Sequence, residues 1–166
     1  HGIDLNQRSD GRYQLAVVNH MPRETIEMFE LINLHNSWSL IWRGCVDAPD
    51  LGYFNDVALK GDGSFFTTHM YERGLSLLSL LYISFAKPDT GFVYQWDVGD
   101  GFTKVPNSGG SFPNGISISD DEKNLFINYV FNHRTSKLNL ENLNVEAEHF
   151  SKGTPDNSSI DGDFIW

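Results

Sequence analysis

Asn55-Asp56-Val57-Ala58-Leu59, then Lys60-Gly61-Asp62-Gly63, then Ser64-Phe65-Phe66-Thr67-Thr68-His69: a polar start, an apolar strand, a Gly-containing turn and a second apolar strand. The same phrase occurs four times. It opens at His1-Gly2-Ile3-Asp4-Leu5, at Asn55, at Asn114-Gly115-Ile116-Ser117-Ile118 and at Asp156-Asn157-Ser158-Ser159-Ile160. The turns are Ser9-Asp10-Gly11, Gly61-Asp62-Gly63, Asp120-Asp121-Glu122 and Asp161-Gly162, and the second strands span 13–19, 64–69, 124–129 and 163–166. The starts lie 54, 59 and 42 residues apart. Recurrence at roughly 40–50 residues with β alternation marks a radial repeat of four-stranded sheets. The expected fold class is therefore all-β, a β-propeller.

Filling in the third and fourth strands gives blades over about 1–50, 51–108 and 109–153, with a fourth begun over 154–166. About three and a half blades are expected. Residues 71–90 are an insertion between the second and third strands of the second blade. Their apolar run Leu75–Ala86 is too short to span a bilayer, which needs about 20 residues. It reads as a buried strand, a core helix or an interfacial helix, with core burial favoured by its length and polarity. The Asp-Gly pairs at 10–11, 62–63, 100–101 and 161–162 read as turn chemistry, because glycine supplies the positive φ of tight β connections.

Composition narrows the function classes. The chain has 166 residues, 40% hydrophobic and 13% aromatic, enough for one globular unit. Its formal charge is −10 without a basic run, so nucleic acid is not an expected partner. Cys45 is the single cysteine, and no Cys or His pair has zinc spacing. The sequence has no initiator Met and both ends fall inside strand phrases, so it reads as an internal stretch of a longer chain.

In a propeller the first strand of each blade lines the central channel, so equivalent positions converge. Asn55, Asn114, Asp156 and Asn157 would then gather amide and carboxylate oxygens at one end. Such oxygen sets suit a hard cation, and Ca²⁺ takes about 6–8 oxygens. Alternatively, these side chains only hydrogen-bond backbone near the channel. His1 opens the first inner strand and His20 closes its antiparallel neighbour, which can bring two imidazoles together beside the cluster. Imidazole suits proton transfer near neutral pH. His35, His69, His133 and His149 read as surface or satisfied core histidines. Asn157-Ser158-Ser159 fits the glycosylation sequon, discounted at a channel-facing position. Gly-x-Ser-x-Gly is missing, so no serine nucleophile is expected.

The ordered set His1-Gly2-Ile3, Val18-Asn19-His20, Phe54-Asn55-Asp56, Phe112-Pro113-Asn114-Gly115-Ile116 and Pro155-Asp156-Asn157 resembles the paraoxonase/arylesterase family, within the gluconolactonase-like and strictosidine-synthase-like propellers. The resemblance implies a six-bladed propeller with two Ca²⁺ ions. It matches Asn55, Asn114, Asp156 and Asn157 to ligands of a catalytic calcium, and Asp56 with the Ile3 carbonyl to ligands of a deeper structural one. His1 and His20 match a catalytic dyad, with His1 nearest the attacking water, and Phe112 matches a pocket wall. The insertion 71–90 falls where the family carries a helix that caps the site and can contact lipid. The family's glutamate ligand has no counterpart within these residues, and Pro113 is more similar to gluconolactonase-like members. The implied function is calcium-dependent hydrolysis of a small lactone or aryl ester. The alternatives are a sugar-lactone hydrolase and a non-catalytic ligand-binding propeller.

Overall fold

A computed structural model describes residues 2–161 and 164–165. Three four-stranded antiparallel sheets follow one another along the chain. The first holds β1 (Ile3–Gln7), β2 (Tyr13–Asn19), β3 (Thr25–Leu34) and β4 (Ser37–Asp47). The second holds β5 (Phe54–Leu59), β6 (Phe65–His69), β7 (Phe92–Asp97) and β8 (Gly101–Lys104), with helix α1 (Leu77–Ala86) between β6 and β7. The third holds β9 (Pro113–Ile118), β10 (Asn124–Tyr129), β11 (Arg134–Asn139) and β12 (Val145–Phe150). A two-stranded hairpin of β13 (Ile160–Asp161) and β14 (Phe164–Ile165) ends it. Each large sheet is a meander in sequence order. The first strands lie side by side, β1 against β5 and β5 against β9. This is the all-β, propeller-type arrangement that the repeated phrase predicts.

The middle sheet explains why. Every residue of β5 and β6 is buried, because the sheet has a neighbour on each face. Side chains alternate between faces with period two. Val57, Leu59 and Phe65 join Ala16, Val18 and Ile26 of the first sheet in one core cluster. Ala58, Phe66 and Val93 join Ile116, Leu125, Ile127 and Leu138 of the third in another. The outermost β12 is exposed along its length and carries Glu146 and Glu148, charges that keep an edge from pairing further.

Turn chemistry follows the Asp-Gly reading. Gly11, Gly63 and Gly101 have φ of 85°, 91° and 69°, and Asp62 Oδ1 accepts the Ser64 amide at 2.9 Å. One hairpin is longer than its sequence suggests. β3 and β4 pair down to Leu34 and Ser37, joined by His35 and Asn36 at φ 54° and 63°. Two positive φ values make the twist-matched two-residue turn, reached here without glycine.

Two expectations are corrected. The run 75–86 is not core. It forms α1, capped by the Ser76 hydroxyl on the Ser79 amide and ended by Lys87 at φ 50°. Only Ile83 is buried, while Leu77, Leu78, Leu81, Tyr82 and Phe85 are 57–91% exposed. The helix lies on the surface because β6 and β7 pair directly with each other and leave the insertion outside the sheet. The fourth phrase is also not a strand from its start. Residues 154–159 are irregular and β13 begins at Ile160, since only Ile160 and Asp161 find partners across the hairpin. Asp161 is thus a strand residue rather than a turn residue, and Gly162, Asp163 and Trp166 lie outside the described residues. No helix among the described residues is long and apolar enough to cross a membrane.

Candidate active site

The polar starts of β5 and β9 are irregular in the same way. Between Phe54↔His69 and Val57↔Thr67, β5 advances three residues while β6 advances two. Between Pro113↔Tyr129 and Ile116↔Ile127, β9 does the same against β10. Asn55-Asp56 and Asn114-Gly115 therefore occupy equivalent β-bulges, devices that re-aim side chains and cluster next to active sites.

The residue opposite each bulge ties one sheet to the next. Thr68 accepts the Asp56 amide at 3.0 Å and donates its hydroxyl to the Asn114 carbonyl at 2.6 Å. Asn128 accepts the Thr135 hydroxyl at 2.7 Å and donates its amide to the Asp156 carbonyl. In the first sheet the Gly2 amide donates to the Asn55 carbonyl at 2.7 Å. The carbonyls of Asn55, Asn114 and Asp156 thus each receive one donor from the preceding sheet. A groove of about 610 Å³ runs along β1, β5, β9 and residues 157–160; Ile3, Asp56 and Asn157 line it, whereas Asn55, Asn114 and Asp156 do not. Glycine permits the approach. A Cβ at Gly115 would lie 2.4 Å from the Asp156 carbonyl oxygen, and one at Gly2 would lie 2.0 Å from Asp56 Oδ1.

Asn55 and Asp56 are buried, Asn114 is half-buried, and the side chains of Asp156 and Asn157 are exposed. Asn55 Nδ2 donates to Met70 Sδ at 3.2 Å. Asp56 accepts the Val57 amide on Oδ1 and the Ile116 amide on Oδ2, both at 2.9 Å. Burial, with smaller contributions from Asp4 and Asp156, nevertheless holds its carboxyl up at about 6. A nearby cation would oppose all three causes. Asn114 Oδ1 is buried and has no hydrogen-bond partner among the described residues, an uncommon state for a buried oxygen. Ile3 lines the groove. Among the described residues no three His, Cys, Asp or Glu side chains form a metal-binding group.

His20 directly follows β2, whose Val17 pairs with Ile3 at the start of β1, and His1 lies outside the described residues. His20 stacks on Tyr53 with ring centroids 4.8 Å apart and planes 15° apart. The row continues through Tyr71 at 5.0 Å to Phe112 at 4.8 Å and Phe131 at 4.7 Å. Phe112 has a φ of 59°, held by its amide on Thr90 Oγ1 at 3.0 Å and by the Val130 amide on its carbonyl at 3.1 Å. A bulky residue keeps that backbone only where its surroundings impose it.

Sequence reasoning missed Glu24. Its carboxylate is 3% exposed and takes three donors: His20 Nδ1 at 2.9 Å, the Phe54 amide at 2.7 Å and Arg73 Nη2 at 2.5 Å. The only signal was an acid immediately before a strand, which is common on surfaces. Of the other histidines, His69 is buried and accepts the Tyr53 amide on Nδ1 at 3.2 Å. Burial holds its imidazole below the usual value.

Meandering four-stranded sheets with adjacent first strands define a propeller-type protein, and the polar residues at the bulged strand starts are its candidate site. The chain belongs to the arylesterase family, whose profile matches residues 1–163. Among solved structures it is similar to a luciferin-regenerating enzyme, with a TM-score of 0.54 and 17% identity over 95% of this chain and 51% of that one. It is also similar to Kuenenia stuttgartiensis hydrazine synthase, with a TM-score of 0.53 and 13% identity over 93% of this chain and 64% of that one. The chain therefore spans about half to two-thirds of these structures, which share its fold. Comparison with curated protein sequences gives no match.

Proposed function

We propose that the protein hydrolyses small lactones or aryl esters with the help of Ca²⁺ held at the bulged strand starts. The observation that carries this reading is Asn114 Oδ1, a buried oxygen without a hydrogen-bond partner among the described residues, at a bulge equivalent to that of Asn55-Asp56. Side-chain oxygens of Asn55, Asn114, Asp156 and Asn157 would hold a catalytic Ca²⁺. Asp56 with the Ile3 carbonyl would hold a second, structural one. Oxygen-only donors with few carboxylates fit a hard cation that accepts amide and carbonyl ligands. When bound, the catalytic ion supplies Lewis-acid polarisation of the ester carbonyl.

The chain's own residues account for the rest. His1 and His20 form the proton-handling pair, with His1 taking the proton of the attacking water and His20 supporting it. Phe112 and its aromatic neighbours provide an apolar wall that positions the substrate and excludes water around the reacting ester. The exposed apolar residues of α1 offer peripheral lipid contact through 71–90. Family membership supports an ester substrate over a purely binding role.

The test is calcium calorimetry combined with turnover of aryl acetates, γ- and δ-lactones and sugar lactones, before and after chelation. Chelation should abolish turnover and added Ca²⁺ should restore it. Full turnover after verified metal removal would rule the reading out, and preference for sugar lactones would favour the gluconolactonase-like alternative.

A further inference from the structure

Glu24 is a buried carboxylate in contact with His20, and its three donors come from three separate stretches of chain. His20 is four residues away, the Phe54 amide 30 and Arg73 49. The position is expensive to fill. A buried carboxylate must have its lone pairs satisfied and its charge paired. Here a guanidinium, a main-chain amide and an imidazole do both. A residue serving only to pair Arg73 would not also need to face an imidazole ring whose plane is independently fixed.

That ring is held in two directions. The carboxylate lies against its edge, with Nδ1 2.9 Å and 3.0 Å from the two oxygens. Tyr53 lies against its face. An ionised carboxylate only accepts, so the neutral imidazole must carry its proton on Nδ1 to make this contact. Nε2 then carries the lone pair. The same partner stabilises the ring once it becomes positively charged.

We propose that Glu24 is the positioning residue of this site: it fixes His20 as the Nδ1–H tautomer, making Nε2 its proton-accepting nitrogen. Through Phe54 and Arg73 it also registers that ring against the bulge at Asn55-Asp56 and against the segment leading into α1. Glu24 touches no substrate; it acts through His20. The role in turnover rests on the hydrolase reading above, whereas the tautomer does not.

The test uses the protein with ¹⁵N-labelled histidine, observed where the rings are neutral, together with Glu24→Gln and Glu24→Asp. Two-bond nitrogen couplings should show wild-type His20 as the Nδ1–H form. Glu24→Gln should admit the Nε2–H form and lower kcat by about 10–100-fold with KM changed less than about 3-fold. Glu24→Asp, which keeps the carboxylate, should recover the tautomer and part of the rate. An Nε2–H wild-type ring overturns the proposal even if no variant folds. A folded Glu24→Gln protein with unchanged tautomer and kcat also overturns it. If wild-type protein hydrolyses nothing in the ester and lactone panel, the proposed function fails while the ring signature still decides what Glu24 does to His20.

Discussion

The Thr68 hydroxyl donates to the Asn114 carbonyl at 2.6 Å, joining the second strand of one sheet to the first strand of the next. Thr68 Oγ1 also accepts the Asp56 amide at 3.0 Å. One fully buried side chain thereby fixes both bulges that carry the proposed ligands.

Thr68→Val keeps the shape and removes both hydrogen bonds. It leaves the buried Asp56 amide without its acceptor, and unpaired buried groups cost about 1–3 kcal/mol each. Urea unfolding should show a loss of about 2–4 kcal/mol for Thr68→Val and a much smaller loss for Thr68→Ser. Equal losses would mean that packing of the methyl group, rather than the hydroxyl, sets the cost.

Gly115 and Gly153 give a matched pair. A Cβ at Gly115 would press on the Asp156 carbonyl and the Asn157 Cα at 2.4 Å and 2.7 Å, whereas nothing lies within 4 Å of one at Gly153. Backbone cannot yield as a flexible side chain can. Gly115→Ala should cost about 2 kcal/mol or more, and Gly153→Ala should stay within about 0.5 kcal/mol. Thermal melts of the two variants check this.

Asn114→Ala should weaken Ca²⁺ binding by about 10-fold or more, since affinity follows the ligand set, and turnover should fall with it. Calorimetry of wild type and variant measures the first effect directly. An unchanged affinity would take Asn114 out of the ligand set.

Stability should fall with acid in part through His69. Its folded imidazole sits below the ordinary value because it is buried, so below about pH 6.5 the unfolded chain binds the proton more readily. The His69 contribution is complete above that pH. It declines as the pH drops toward the lowered folded value and flattens once the folded form is protonated too. His69→Phe should reduce this slope in a pH series of unfolding curves, at the cost of the Tyr53 hydrogen bond. An unchanged slope would assign the acid sensitivity to other groups.

The α1 surface separates stability from association. Leu78 and Phe85 are 78% and 91% exposed, so Leu78→Ser and Phe85→Ser should each alter stability by less than about 0.5 kcal/mol. If 71–90 meets lipid, the double variant should lose co-sedimentation with phosphatidylcholine vesicles that wild type retains. Equal sedimentation would place any lipid contact elsewhere.

The first three strand phrases, their turns and their sheet order were legible in the sequence, because alternation and Asp-Gly chemistry are local; the fourth phrase was not, since residues 154–159 are irregular. Asn55, Asp56 and Asn114 stood out for the same reason: the phrase repeats. What those residues do at the strand starts was not legible. A bulge is a mismatch of register between two strands, and neither β5 nor β9 carries the extra residue as a mark in its own letters. The fate of 75–86 depended on whether β6 and β7 would pair without it. Glu24 depended on partners 30 and 49 residues away. By itself the sequence determined an all-β repeat with polar strand starts, since periodicity and turn preference act over a few residues. Only the tertiary structure decided where the strand starts bulge, which helix face stays in solvent and which carboxylate grips His20, because register, burial and hydrogen-bond partnership are properties of distant segments brought into contact.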